Sequence, residues 1–217
     1  MKIISRCLVA VLVFLNMTNV LAQSFHLTEV DDELCRIGGE DQRIRIKLIE
    51  VMQKKPSDLM TIKPEMDSID SRNQIYVADL LDKHGWPDNF SESANKAIFL
   101  VIDHASKSFS EKYFPFVKEK ADKGVISKSD VATLEDRILM KSMQKQKYGT
   151  QTISKKNNEG EDVTYVWPVE DAEKVDELRN AVGLTPISLY IQLLENQFKR
   201  KVVWDKNMSV SDFNVTF

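Results

Sequence analysis

The sequence predicts a mainly α fold, a single-domain helical bundle with one small β-hairpin near residues 150–167. Three observations carry that expectation. Apolar residues recur at helical spacing in one segment after another from Asp41 to Phe198. Glycine and proline fall where those segments stop, at Gly85-Trp86-Pro87, at Gly124 and at Gly183. Strand-like alternation occurs in one place, on either side of a polar Asn157-Asn158-Glu159-Gly160 turn.

The N-terminus predicts export. Lys2 and Arg6 precede a short apolar run, Leu8 to Leu15, and Val20-Leu21-Ala22 offers small residues to a signal peptidase. Residues 1–22 therefore read as a signal peptide cleaved before Gln23. The apolar run falls short of the roughly 20 residues that span a bilayer, so no stable membrane insertion is expected after cleavage. The destination is periplasmic or extracellular. Residues 23–40 show no strong periodicity and end in Gly38-Gly39, a break, so they read as an N-terminal extension. One mostly helical domain is expected over 41–200, with a frayed C-terminal tail over 201–217. The whole chain carries a net charge of −3, and loss of Lys2 and Arg6 with the leader makes it −5. Without clustered Lys and Arg that balance argues against nucleic-acid binding. Cys7 leaves with the leader, and Cys35 remains as a single thiol that cannot form an internal disulfide.

Taken in order, Asp41-Gln42-Arg43 opens a helix with Ile44, Leu48 and Val51 or Met52 on one side, ended by Lys54-Lys55-Pro56. Pro64 suits the first turn of the next helix, whose apolar face collects Tyr76, Val77, Leu80, Leu81 and His84. A third helix, Ser91 to Lys107, has a broad apolar stripe and a wet face of Asn95, Lys96, Asp103 and Ser106. The fourth, from about Ser108 to Lys123, contains Pro115, which marks a kink or a late start. Ser127-Lys128-Ser129-Asp130 caps the fifth, running to about Gln144. Thr150 to Ser154 and Val163 to Trp167 make the hairpin. Asp171 to Ala181 is a helix with Val175, Leu178 and Val182 on one side, and Thr185-Pro186 opens the last helix.

The fifth helix holds a local conflict. At roughly 100° per residue, Asp136 falls between Ala132, Leu139, Met140 and Met143. A carboxylate there needs partners, because an unpaired buried charge is costly. The polar stretch Gln146-Lys147-Tyr148-Gly149-Thr150-Gln151 follows closely. His104, on the border of an apolar stripe, is of a type that serves as general acid or base, and Arg137 can clamp a carboxylate or phosphate.

Several of these short stretches occur in a telling order. Asp41-Gln42-Arg43, Gly85-Trp86-Pro87, His104-Ala105, Glu135-Asp136-Arg137, the Gln146–Gln151 stretch and Arg179 to Leu184 together resemble an uncharacterised bacterial family, domain of unknown function 6624. Its members commonly have an exported N-terminus. The resemblance covers roughly Asp41 to Tyr190 and implies no activity, cofactor or partner. The family pattern tends toward Gln-His-Ala-Asp where this chain reads Asp103-His104-Ala105-Ser106.

Two functions fit these residues. One is a binding or interaction module in which Gln146, Tyr148, Gly149, Thr150 and Gln151 recognise a small molecule, a peptide or an envelope component. The other is an enzyme, for instance a hydrolase, with His104 and Asp136 catalytic and Arg137 as electrophilic support. A third reading makes the same residues structural, with Asp136 and His104 paired in the core and the turn satisfying helix-end carbonyls. No His-Glu-x-x-His or cysteine cluster supplies metal ligands, no cofactor motif is present, and no Gly-x-Ser-x-Gly is present for serine hydrolysis. Oligomeric state and substrate are not encoded in any motif.

Overall fold

The computed structural model describes the chain apart from residues 1, 55–57, 158, 214, 216 and 217; in the first helix it describes side chains from Leu27 onward only. The side chains of the expected signal peptide, the stop at Lys55-Pro56 and Asn158 of the hairpin turn lie outside the described residues. Among those described there are seven α-helices and one small sheet.

The first helix, α1 (Lys2–Lys54), runs without a break through Gly38-Gly39. Two glycines inside a helix cost about 1 kcal/mol each relative to alanine. Tertiary packing offsets that cost, because a Cβ at Gly38 would lie 2.9 Å from Ala97 Cβ on α3 (Glu92–His104). Glycine here permits close approach of two helices rather than a turn. Residues 23–40 are therefore not an extension: Leu34 and Ile37 are fully buried in the main core.

Helix α2 (Leu59–His84) starts earlier than expected, and Pro64 lies inside it rather than in its first turn. Proline withholds one N–H from the helix ladder, and the neighbouring start at Met60 is open to solvent. His84 is exposed and takes no part in the core. Trp86 does plug the core as expected, its Nε1–H donating to Asn95 Oδ1 at 2.7 Å.

Helix α3 stops at His104, and Ser106 caps α4 (Lys107–Asp122), which continues through Pro115. Asn95 and Asp103 are buried rather than wet. Each has found the partners that burial demands, Asn95 in Trp86 and two backbone carbonyls, Asp103 in Arg137. Helix α5 (Lys128–Lys141) is capped by Ser127, which accepts from Asp130 N. The main core lies among α1 to α5.

The hairpin forms as β1 (Thr152–Lys156) against antiparallel β2 (Asp162–Val166), with Thr152 opposite Val166. The sheet has a third strand, β3 (Val202–Val203), parallel to β2. Helices α6 (Val175–Ala181) and α7 (Ile187–Phe198) close a second core with Val166, Val169 and Val202. The tail is not frayed over its described length. A 3-10 turn at Val210–Asp212 delivers Phe213 onto Trp167, ring centroids 5.0 Å apart, in a pocket completed by Met140. Burial of an aromatic ring is what holds that end down.

Candidate functional site

The sequence-chosen residues divide into two groups. Asp136 is fully buried, and its partners are all in the turn that follows α5. It accepts from Lys147 N at 2.8 Å, Tyr148 N at 3.1 Å, Thr150 N at 3.0 Å and Thr150 Oγ1 at 2.9 Å. Burial pushes its carboxyl above the ordinary value, against the pull of those four donors. The carbonyl side of the same turn is held by Arg179, also fully buried, whose Nη1 donates to Tyr148 O at 2.7 Å and whose Nε donates to Thr185 O at 2.6 Å. The turn is thus gripped from both sides by opposite charges.

Its other side chains are satisfied in the same way. Gln146 Nε2 donates to Trp167 O and Gln151 O, and its Oε1 accepts from Gln151 N, so one amide stands in for a missing stretch of strand. Gln151 Nε2 reaches Thr133 O and Thr150 Oγ1, while Tyr190 Oη donates to Thr150 O at 2.6 Å. Gly149 has φ +68°, and a Cβ on it would lie 2.8 Å from Ile187 Cδ1. The close approach that glycine permits is to α7, not to a ligand. Tyr148 is half-buried; Gln146, Thr150 and Gln151 are buried and fully engaged. This group scaffolds the junction of the two cores.

His104 belongs elsewhere. Its Nδ1 lies 2.9 Å from Asp41 Oδ1 on α1, not beside Asp136. Arg45 Nε is 3.3 Å from the same nitrogen, and the two contacts cannot both be hydrogen bonds. Facing a carboxylate at the shorter distance, Nδ1 carries the proton. Arg45 is then Asp41's ion-pair neighbour, and its Nη2 donates to Asp70 Oδ1 at 2.7 Å. Burial raises the Asp41 carboxyl, but His104 and Arg45 outweigh it and hold that group below the ordinary carboxylate range. His104 Nε2 lies 3.8 Å from Asp103 Oδ2, and Asp103 Oδ1 accepts from Arg137 Nε at 2.9 Å. Of the three residues proposed as catalytic, His104 and Arg137 are therefore joined through Asp103, while Asp136 is committed to the turn. Lys141 completes this end of α3 by donating to Ala105 O, its ammonium pushed below the ordinary lysine value by burial and by Arg137.

Asp41, Asp70, Asn73, Gln74, Val101 and His104 line a narrow pocket between α1, α2 and α3, too tight inside to seat a water molecule and open at its mouth to solvent. The histidine imidazole reaches it with 20% of its side chain exposed. Asn73 is the exceptional residue. It is 1% exposed, and neither Oδ1 nor Nδ2 of its amide has a hydrogen-bond partner among the described residues. Buried polar atoms are paired in the great majority of cases. Sequence reasoning missed Asn73, Asp70 and Arg45, whose types are common on solvated helix faces. A usable signal existed in Asn73 and Val77, four apart and so on one face of α2.

The position after Ala105 also finds an explanation. Ser106 is the N-cap of α4, with Oγ accepting from Phe109 N. Serine and aspartate cap helices about equally well, so the residue at this position serves α4 rather than His104. Among the described residues no group of three His, Cys, Asp or Glu side chains is placed to hold a metal ion.

A family model described as a family of unknown function (DUF6624) matches residues 28–203. No curated protein and no solved structure matches the chain.

Proposed function

The chain belongs to this family of unknown function, DUF6624, and from the geometry above we propose that it is a binding module whose site is the α1–α2–α3 pocket around His104. One observation carries the reading. A buried carboxamide with both polar atoms unpartnered costs about 1–3 kcal/mol, and such a cost is kept where function needs it. The Gln146–Gln151 turn, whose buried amides and hydroxyl are already engaged, is assigned to structure instead. The ligand is a small molecule, or a side chain of a peptide or envelope component, met at the pocket mouth.

Thermal unfolding of Asn73→Leu beside wild type tests this. The substitution removes the unpaired amide at similar volume and should raise stability by about 1–3 kcal/mol while abolishing binding. A lower melting point would show that the amide is paired and structural, and the reading would fail.

A second reading rests on the Asp41–His104 pair. An imidazole oriented at Nδ1 by a carboxylate, beside a pocket, is a general-base arrangement, with Asp41 in the role first given to Asp136. It predicts that His104→Gln and Asp41→Asn each abolish hydrolysis of an active ester or amide substrate, while Tyr148→Phe leaves it intact. We further propose export with loss of residues 1–22, on the charge and apolar pattern of that segment. Among the described residues no helix is long and apolar enough to cross a membrane.

A further inference from the structure

We infer that the C-terminal half of α5 carries a second site, where Arg137 and Lys141 bind a carboxylate against the end of α3. It lies outside the α1–α2–α3 pocket and does not depend on the function given to that pocket. Arg137 and Lys141 are four apart on α5, so they share one face, where like charges repel. Both are half-buried, and both reach the last turn of α3. Arg137 Nε donates to Asp103 Oδ1 at 2.9 Å, and Lys141 Nζ donates to Ala105 O at 2.6 Å. Burial and Arg137 hold the Lys141 ammonium below the ordinary lysine value, and Asp103 offsets them only in part. Two cations thus share one carboxylate, which leaves one positive charge without a counter-charge.

The other cations of the fold show what is missing. Arg36, Arg45 and Arg72 each place an Nη nitrogen on a carboxylate, and Lys112, Lys120 and Lys147 each place Nζ on one. Among the described residues Lys141 donates only to Ala105 O, and neither Nη of Arg137 has a partner. The guanidinium is nonetheless held in place, because Asp103 grips it at Nε while 28% of the side chain stays exposed. Its Nη nitrogens are left as a fixed pair of donors open to solvent. A carboxylate is planar, offers two oxygens to such a fork and brings the single negative charge that balances the pair. A doubly charged phosphate would over-neutralise the pair beside Asp103, and an amine would meet two like charges. The carboxylate belongs to a free organic acid or to a peptide C-terminus.

The test uses the full chain with acetate, N-acetylglycine and methyl phosphate as probes, each balanced by chloride at one ionic strength. Nuclear magnetic resonance follows the Arg137 Nε–H and the titration of the Lys141 ammonium. Acetate or N-acetylglycine should shift the Arg137 resonance saturably and move the Lys141 titration to higher pH. A lysine that merely caps α3 would not respond in that way. Tighter binding of N-acetylglycine than of acetate assigns a peptide terminus, and equal binding a free acid. Arg137→Lys keeps the charge and loses the fork, and should weaken binding about tenfold or more. Saturation by methyl phosphate alone would overturn the carboxylate class. No saturable shift with any probe, or undiminished binding in Arg137→Lys, would overturn the site. The melting point of Asn73→Leu bears on the pocket alone, so the two readings stand or fall separately.

Discussion

Asp136 and Asp41 are two buried carboxylates whose environments act in opposite directions, and that difference is measurable. Replacing Asp136 by Asn turns two acceptor oxygens into one and aims an NH₂ at backbone N–H donors, which should cost about 1–3 kcal/mol in urea unfolding at neutral pH. Its carboxyl is raised in the folded state, so the wild type gains stability as pH falls toward the ordinary carboxylate value near 4. The Asp136→Asn deficit should therefore widen on acidification. Asp41 is lowered in the folded state, so its contribution is complete above that same value and fades as pH falls below it. The Asp41→Asn deficit should narrow there. Unfolding titrations of the two variants between neutral pH and pH about 3 check both signs at once. Gly149→Ala should cost about 1–3 kcal/mol, because a left-handed backbone and the Ile187 methyl group both oppose a side chain.

At the scale of elements, the two adjacent glycines of α1 make opposite predictions. Gly38→Ala drives a methyl into Ala97 and should lower the urea midpoint, by about 1–3 kcal/mol if the helices separate. Gly39→Ala meets nothing within 4 Å and should stabilise by about 0.5–1 kcal/mol through helix propensity alone. The break expected at this pair came from reading glycine as punctuation. A 3-4 stripe in fact runs through it, Leu27, Val30, Leu34, Ile37, Asp41 and Ile44, and the buried acid in its middle disguised the register. Helices α2 to α5 and the hairpin were legible because apolar spacing, caps and turn residues agreed. The β2–β3 pairing was not, since a two-residue parallel strand has no periodicity to read. Arg179 was quoted in the family-like stretch to Leu184, but its burial was hidden: it follows Val175 by one turn on the buried face of α6, where an apolar-first reading chose Leu178.

Across the whole molecule, the sequence drew attention to His104, which lines the pocket, to Arg137, which lies outside it on Asp103, and to Asp136, whose buried carboxylate conflicts with an apolar stripe. The resolution of that conflict through turn amides needed three-dimensional information, because donors eleven to fourteen residues downstream leave no trace in helical spacing. Phe213→Ala offers a global check. If the tail closes the second half of the fold, removing that ring should cost about 3–5 kcal/mol in a single cooperative transition. If it is an appendage, calorimetry will barely register the loss.

The grip of Asp136 on residues 147–150 also has a meaning in time. During synthesis α1 to α5 emerge first, and their core can begin to assemble while the turn and Arg179 are still unmade. Until those donors arrive Asp136 must stay hydrated, which keeps its face of α5 open to water.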